Sequence, residues 1–159
     1  MAIMDETLEF ADAESVAAAA GTALIGDVVD LGVARDVAKG APLYLVIQAT
    51  TEIITAGTAG EIEFQLVSDA QAAISTDGSA SVHFSTGQFT TDDAAANSAQ
   101  LNAGGIPIAV VAIPMEGRVY ERFLGILVVT TTTTTTAGAI NAFLTLDPIG
   151  WKAYADASN

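Results

Sequence analysis

Apolar and polar residues alternate most cleanly over residues 61–66, where Glu61, Glu63 and Gln65 interleave with Ile62, Phe64 and Leu66. A period of two puts the two sets on opposite faces of a strand, so this segment predicts a half-buried strand. Residues 43–50, LYLVIQAT, follow Pro42 as an almost unbroken apolar run. Such a run predicts a central strand covered on both faces, or an element near a subunit contact. SVHFS (residues 81–85) predicts a shorter strand, and the run bracketed by Pro107 and Pro114 predicts an edge or bulged one. The longest signal spans residues 118–146, where two β-branched runs flank seven consecutive threonines, residues 130–136, followed by Ala137-Gly138. These residue types favour a pleated surface, and glycine turns at little steric cost. The segment predicts a long β-hairpin with its turn at Ala137-Gly138.

The remaining stretches carry weaker patterns. ALIGDVVDLG (residues 23–32) has β-forming residues but no clean alternation, and residues 33–40 read as a loop ending in a glycine turn. Residues 70–102 are polar and predict connections with edge strands. Residues 1–21 open acidic and turn alanine-rich, and both an extended arm and a short helix capped by Asp12 or Ser15 are open readings. About seven strand candidates without a long amphipathic helix predict an all-β sandwich or barrel. The predicted division is an N-terminal arm over residues 1–22, one β-domain over 23–147 and a tail over 148–159, with Trp151 and Tyr154 packing back.

Length and apolar content fit one domain with a genuine core: 159 residues, 51% of them hydrophobic. The charge is one-sided, with 5 basic against 19 acidic residues and a net charge of −14. Arg35, Lys39, Arg118, Arg122 and Lys152 are the only cations, too scattered in sequence to form a patch. Nucleic-acid binding and attachment to an anionic membrane are therefore disfavoured, since both need clustered Lys and Arg. With no cysteine, disulfides and thiolate metal sites are excluded. The acidic opening lacks a signal-peptide pattern, and no apolar run approaches the roughly 20 residues of a membrane helix. A soluble intracellular product is the expectation.

Candidate chemistry is sparse. His83 is the only histidine, with Asp77 and Ser85 nearby in sequence, but no nucleophile-elbow pattern accompanies it. Asp69, Asp77, Asp92 and Asp93 invite a calcium reading without the spacing of a calcium loop. Glu61 and Glu63 share one side of a strand, which suggests a carboxylate pair, yet that side is simply the wet face. One threonine-rich strand is too narrow for a flat hydroxyl array. No catalytic residue, metal site or cofactor is predicted, and the chain reads as a binding or structural protein.

Two stretches together resemble a known family. GDVVDLGVARDVAKGAPLYLVIQAT (residues 26–50) carries Asp30, Leu31, Gly32, Ala34, Arg35, Asp36, Gly40, Pro42 and Leu43. ERFLGILVVTTTTTTTAGAINAFLTLD (residues 121–147) carries Arg122, Phe123, Leu124, Thr136, Ala137, Gly138, Leu144, Leu146 and Asp147. In order and spacing they resemble the opening and closing signatures of the Bbp16-like family of phage capsid cement proteins. The tail beyond Asp147 is longer than that family's pattern. The resemblance implies an antiparallel β-sandwich of jelly-roll type that sits on the outer surface of a phage capsid. It would assemble as a homotrimer and bridge major capsid proteins.

On that reading, candidate subunit or capsid contacts are Arg35, Arg118, Arg122, Thr132 and Thr134. The arginines would pair with carboxylates at an interface or within the chain to fix a loop. The threonine-rich hairpin would offer an edge for pairing between subunits. The alternatives are another virion subunit, such as a head-fibre base or minor capsid protein, and a carbohydrate-binding β-sandwich module.

Overall fold

The alternating segment extends as a strand because its even positions find a core: Ile62, Phe64 and Leu66 are fully buried, while Glu61, Glu63 and Gln65 remain partly exposed. The computed structural model of the chain describes residues 6–35, 37, 41–56, 60–91, 97–104, 106–114 and 119–148. Within them lie nine strands: β1 (Glu9–Ser15), β2 (Gly21–Asp30), β3 (Tyr44–Thr55), β4 (Gly60–Asp69), β5 (Ser81–Ser85), β6 (Phe89–Thr91), β7 (Ala109–Ala112), β8 (Phe123–Thr131) and β9 (Thr135–Thr145). The only helical elements described are single 3-10 turns at Glu6–Leu8 and Ala99–Leu101.

One sheet has the order β1-β9-β3-β7 and the other β2-β8-β4-β5, with β6 continuing beside β4. All pairs are antiparallel. With β5 and β6 counted as one interrupted strand, the first strand pairs with the last, the second with the next to last, and so inward. A long folded ribbon rolled into two facing sheets has this order, so the sandwich is a jelly roll. Leu45, Ile47, Ala49, Ile140, Ala142 and Leu144 from one sheet meet Ile62, Phe64, Leu66, Leu124, Ile126 and Val128 from the other in the main core. Val46 and its partner Phe143, on the opposite face of the first sheet, are buried as well, so β3 is covered on both faces as its unbroken apolar run predicts.

Three expectations need correction. No hairpin joins β8 to β9: each lies in the interior of a different sheet, and residues 132–134 carry the chain across the sandwich. Both runs look alike in sequence because both strands are central. The turn falls inside the threonine run at Thr132 (φ 73°), where Thr133 N–H bonds to Thr131 O at 2.9 Å. Gly138 instead lies within β9 at φ 138°, where a side chain would collide with Ile53 and Val16.

Of the two open readings of the alanine-rich opening, its described residues are extended and not helical, and they pair in the first sheet. Residues 9–15 form β1, whose Phe10, Ala11 and the following Val16 are buried in the core, and the boundary drawn after residue 22 falls inside β2. Asn141 Oδ1 accepts the Ala13 N–H at 2.6 Å where the β1 ladder breaks. The irregular pattern of β2 also has a cause. Its register slips between Ile25 and Val29 around Gly26, so a bulge interrupts the alternation.

Candidate functional site

The two family-like stretches meet in space. β2 ends at Asp30 beside Phe123, the first residue of β8. Asp30 Oδ1 accepts the Gly32 N–H at 2.7 Å, which turns the chain, and Gly32 takes the positive φ (77°) that this turn needs. The Arg122 guanidinium closes on the same carboxylate in two bonds, Nε to Oδ1 and Nη2 to Oδ2, each 2.8 Å. Backbone bonds continue the junction: Leu31 N–H to Arg122 O at 2.8 Å and Arg35 N–H to Tyr120 O at 3.2 Å. The guanidinium also stacks over Phe123, 4.8 Å from the ring centre.

The Arg122 hydrogen bond, followed by the Gly32 amide, holds the Asp30 carboxyl down at about 2. The same pairing raises Arg122. Both side chains stay nearly half exposed, at 43% and 49%, so the pair acts mainly as a geometric clamp on the loop. Of the two roles open to the scarce arginines, Arg122 makes the internal pair. Arg35 is exposed, and its side chain makes no ion pair among the described residues.

Behind the junction lies a half-buried polar chain. Tyr120 donates its hydroxyl to Pro114 O at 2.8 Å, and burial pushes its phenol up to about 12. Its ring stacks on His83, with centres 3.8 Å apart and planes 18° apart. His83 Nε2 lies 2.7 Å from Ser68 Oγ, which also accepts the Glu121 N–H at 3.0 Å. Ser81 in turn donates to Glu121 Oε1 at 2.9 Å. A serine hydrogen-bonded to a histidine resembles nucleophile and base. Ser68, however, is fully buried, so no substrate carbonyl reaches it. This chain ties β4 and β5 to the segment entering β8. Neither Asp77 nor Ser85 takes part in the described bonds of His83. No local pattern in the sequence marks Ser68 or Tyr120, because His83 lies 15 and 37 residues away from them.

Asp69, Asp77, Glu61 and Glu63 are engaged within the fold. Asp69 receives the Gln71 and Ser75 amides at 3.1 and 3.0 Å, and Asp77 receives the Ser79 amide and hydroxyl at 3.0 and 2.6 Å. These bonds shape residues 70–80, which fold over the outer face of the second sheet. There Ile74 and Ala80 form a second small core with Val67 and Leu127. Gly125 makes room for Ile74 and Leu24, which a Cβ would strike. Glu63 accepts from Gln65 and Ser85, and Glu61 from Thr131. Asp92, Asp93 and Trp151 lie outside the described residues. Among the described residues no acidic or histidine cluster could hold a metal, and no helix is long and apolar enough to cross a membrane.

The candidate contact residues divide between two ends of the sandwich. Arg35 and Arg122 share the junction end, so cations scattered in sequence are gathered there. Arg118 lies outside the described residues. Thr132 and Thr134 are exposed at the far end of β8, roughly 30 Å away for a strand of this length. The threonines flanking this turn are no surface row: Thr130 and Thr135 are buried, as are Thr55 and Thr91 nearby. Because β8 and β9 are interior strands, the threonine crossover offers no free edge for pairing. The edges belong to β1 and β7 in one sheet and to β2 and β5 with β6 in the other.

Fold and site together define a jelly-roll protein whose most elaborated surface is a clamped loop end. The Bbp16 family model matches residues 10–144, from β1 to β9, and the chain belongs to that family. No match was found among curated proteins.

Proposed function

We propose that this protein is a phage capsid cement, or decoration, protein that binds the outer surface of the head and stabilises the lattice of major capsid protein. The observation that carries the reading is the family match across the whole sandwich, together with the resemblance of its two signature stretches to capsid cement proteins. Those stretches are the ones that build the clamped junction, which suits a rigid surface for recognition. Jelly rolls recur in viral shells. The net charge of −14 suits a protein that stays soluble on the outside of a particle and away from packaged nucleic acid. The mechanism is binding: interface buried in the assembled lattice lowers its free energy relative to the separated parts. A homotrimer would add avidity through several feet on one lattice.

The test is add-back. Purified protein is mixed with expanded heads that lack it, then imaged and challenged with heat. Ordered density on the shell with a raised disruption temperature is the expected result, and the absence of both would overturn the reading. Mass measurement in solution tests the trimer separately, and a stable monomer at micromolar concentration would count against it.

A further inference from the structure

We infer that the outer face of the first sheet is a docking site for the chain's own C-terminal segment, residues 149–159, whose Trp151 and Tyr154 are the groups that cover Phe143 and Val46. That segment lies outside the described residues, and the inference is independent of the cement reading.

Three observations converge on this face. The first is burial without a described cover. Glu9, Phe143, Val46 and Val110 stand side by side across β1, β9, β3 and β7. Their neighbours along β3 and β9, namely Leu45, Ile47, Ala142 and Leu144, point into the main core, so this row faces outward. Phe143 and Val46 are nevertheless each only 1% exposed, and neither belongs to the main core or to the small core under residues 70–80. Glu9 Oε1 is withdrawn from solvent in the same row. Side chains stand upright on a sheet, so hiding an aromatic ring takes a layer above it and not only neighbours beside it. Leu8, from the 3-10 turn that touches β9, packs on the main core instead. The burial exists within a single chain, which therefore supplies the cover itself. Val110, on the edge strand, is 49% exposed, so the cover ends between β3 and β7.

The second is the direction in which the described chain leaves the sheet. Thr145 is two residues from Phe143 on β9 and shares its face. Its hydroxyl accepts the Asp147 N–H at 3.2 Å, which bends the chain toward that face as the strand ends. From Pro148, Trp151 is three residues on, a reach of about 10 Å, whereas Phe143 lies roughly 7 Å back from Thr145.

The third is chemical fit. Residues 151–154, Trp-Lys-Ala-Tyr, place two large aromatic surfaces around one cation. The rings suit Phe143 and Val46, and the ammonium suits the shielded carboxylate of Glu9. The segment would do for the first sheet what residues 70–80 do for the second. The family match ends at residue 144, so this cover is an addition to the shared sandwich.

Trp151 is the only tryptophan, so its fluorescence reads the segment in the intact chain. Its emission should lie to the blue of that in urea, with acrylamide quenching about fivefold slower, because a packed side chain is closed to small quenchers. Emission and quenching equal to those of the unfolded chain would overturn the inference. With no native cysteine, a nitroxide can be attached singly through Val110→Cys or Val82→Cys, both at exposed sites. The Val110 label, two strands and about 10 Å from Phe143, should remove about half of the Trp151 emission or more, and the Val82 label on the other sheet should leave it unchanged. Equal quenching by the two labels, or none from Val110, would overturn the docking face. Labelled Val110→Cys/Trp151→Phe mixed with unlabelled wild type should show no quenching. Quenching in that mixture would assign the segment to a neighbouring copy and overturn docking on its own sheet.

A chain ending at Pro148 should bind several-fold more of a dye for apolar surface while keeping its strand circular dichroism, and loss of residues 1–5 should leave dye binding unchanged. The reverse pattern would give the face to the N-terminal residues and overturn the proposal. If truncation unfolds the chain, the fluorescence measurements on the intact protein decide.

Discussion

Asp30 and Arg122 lie 92 residues apart in sequence and meet through two parallel 2.8 Å hydrogen bonds. Each belongs to one of the two family-like stretches, so what looks in sequence like two separate signatures is one physical joint. The joint ties the end of β2 and its following turn to the start of β8, where the neighbouring backbone also pairs Leu31 with Arg122. Its exposure limits its share of global stability, and its role is to hold a loop in one geometry.

The joint gives an acid response with a definite sign. The Asp30 carboxyl falls from 3.8 to about 2 on folding, chiefly through Arg122 and then Gly32. A depressed carboxylate contributes stability that is present above its unfolded value and is lost as pH falls through its folded one. Wild-type melting temperature should therefore decline further between pH 4 and 2 than that of Asp30→Asn, which has no proton to take up. Parallel curves for the two proteins over that window would show that the pair is not formed in solution.

Gly26 is set at φ 64° in the β2 bulge, and a Cβ there would run into the Phe10 carbonyl. Gly26→Ala combines backbone strain with a collision against backbone, which has no flexible end to swing away. The expected loss is about 3 kcal/mol or more by urea denaturation, with increased amide exchange along β1. A variant within a few tenths of a kcal/mol of wild type would mean that β1 does not pack against the bulge.

Thr132 is a β-branched residue at φ 73°, in a three-residue turn closed by Thr133 N–H to Thr131 O. A glycine relieves that conformation, and the relief of roughly 1–3 kcal/mol exceeds the added freedom of the unfolded chain. Thr132→Gly should gain about 1 kcal/mol in chemical denaturation, whereas Thr134→Gly should lose stability. A loss at both sites would place the turn elsewhere in the threonine run.

Residues 70–80 are held by Asp69 from one side and Ile74 from the other. Amides of Ser75 and then Gln71 lower the Asp69 carboxyl, so the loop should loosen as acid protonates it. Ile74→Ala should cost about 2–3 kcal/mol, with new protease cleavage confined to this loop. Cleavage spread over the whole chain would indicate that the small outer core is part of the main folding unit.

The legibility of the sequence follows the same physics. β4 shows in its alternation because one face is wet, and β7 shows through its flanking prolines. β2 is blurred by the bulge at Gly26, and β1 by alanines whose helix preference yields to pairing with β9. Two buried strands in different sheets produce the same apolar runs as a hairpin, so the crossover at residues 132–134 is hidden by its surroundings. At the junction, the scarcity of arginine draws attention to Arg35 and Arg122. Their convergence depends on the topology, as does the Ser68–His83 contact, and neither leaves a local pattern.

The nesting of the strands sets the order in which the chain can mature. β1 has only β9 for a partner in its sheet, and the Ala13–Asn141 bond spans 128 residues. During synthesis at ordinary rates the first strand waits on the order of ten seconds for the last to appear. Until then β3 lacks one neighbour and β4 lacks the β8 that separates it from β2. The first sheet can therefore close only once β9 has been made and inserts between β1 and β3. A truncation within β9 would leave both the earliest and the third strand with open flanks, and its expected fate is aggregation.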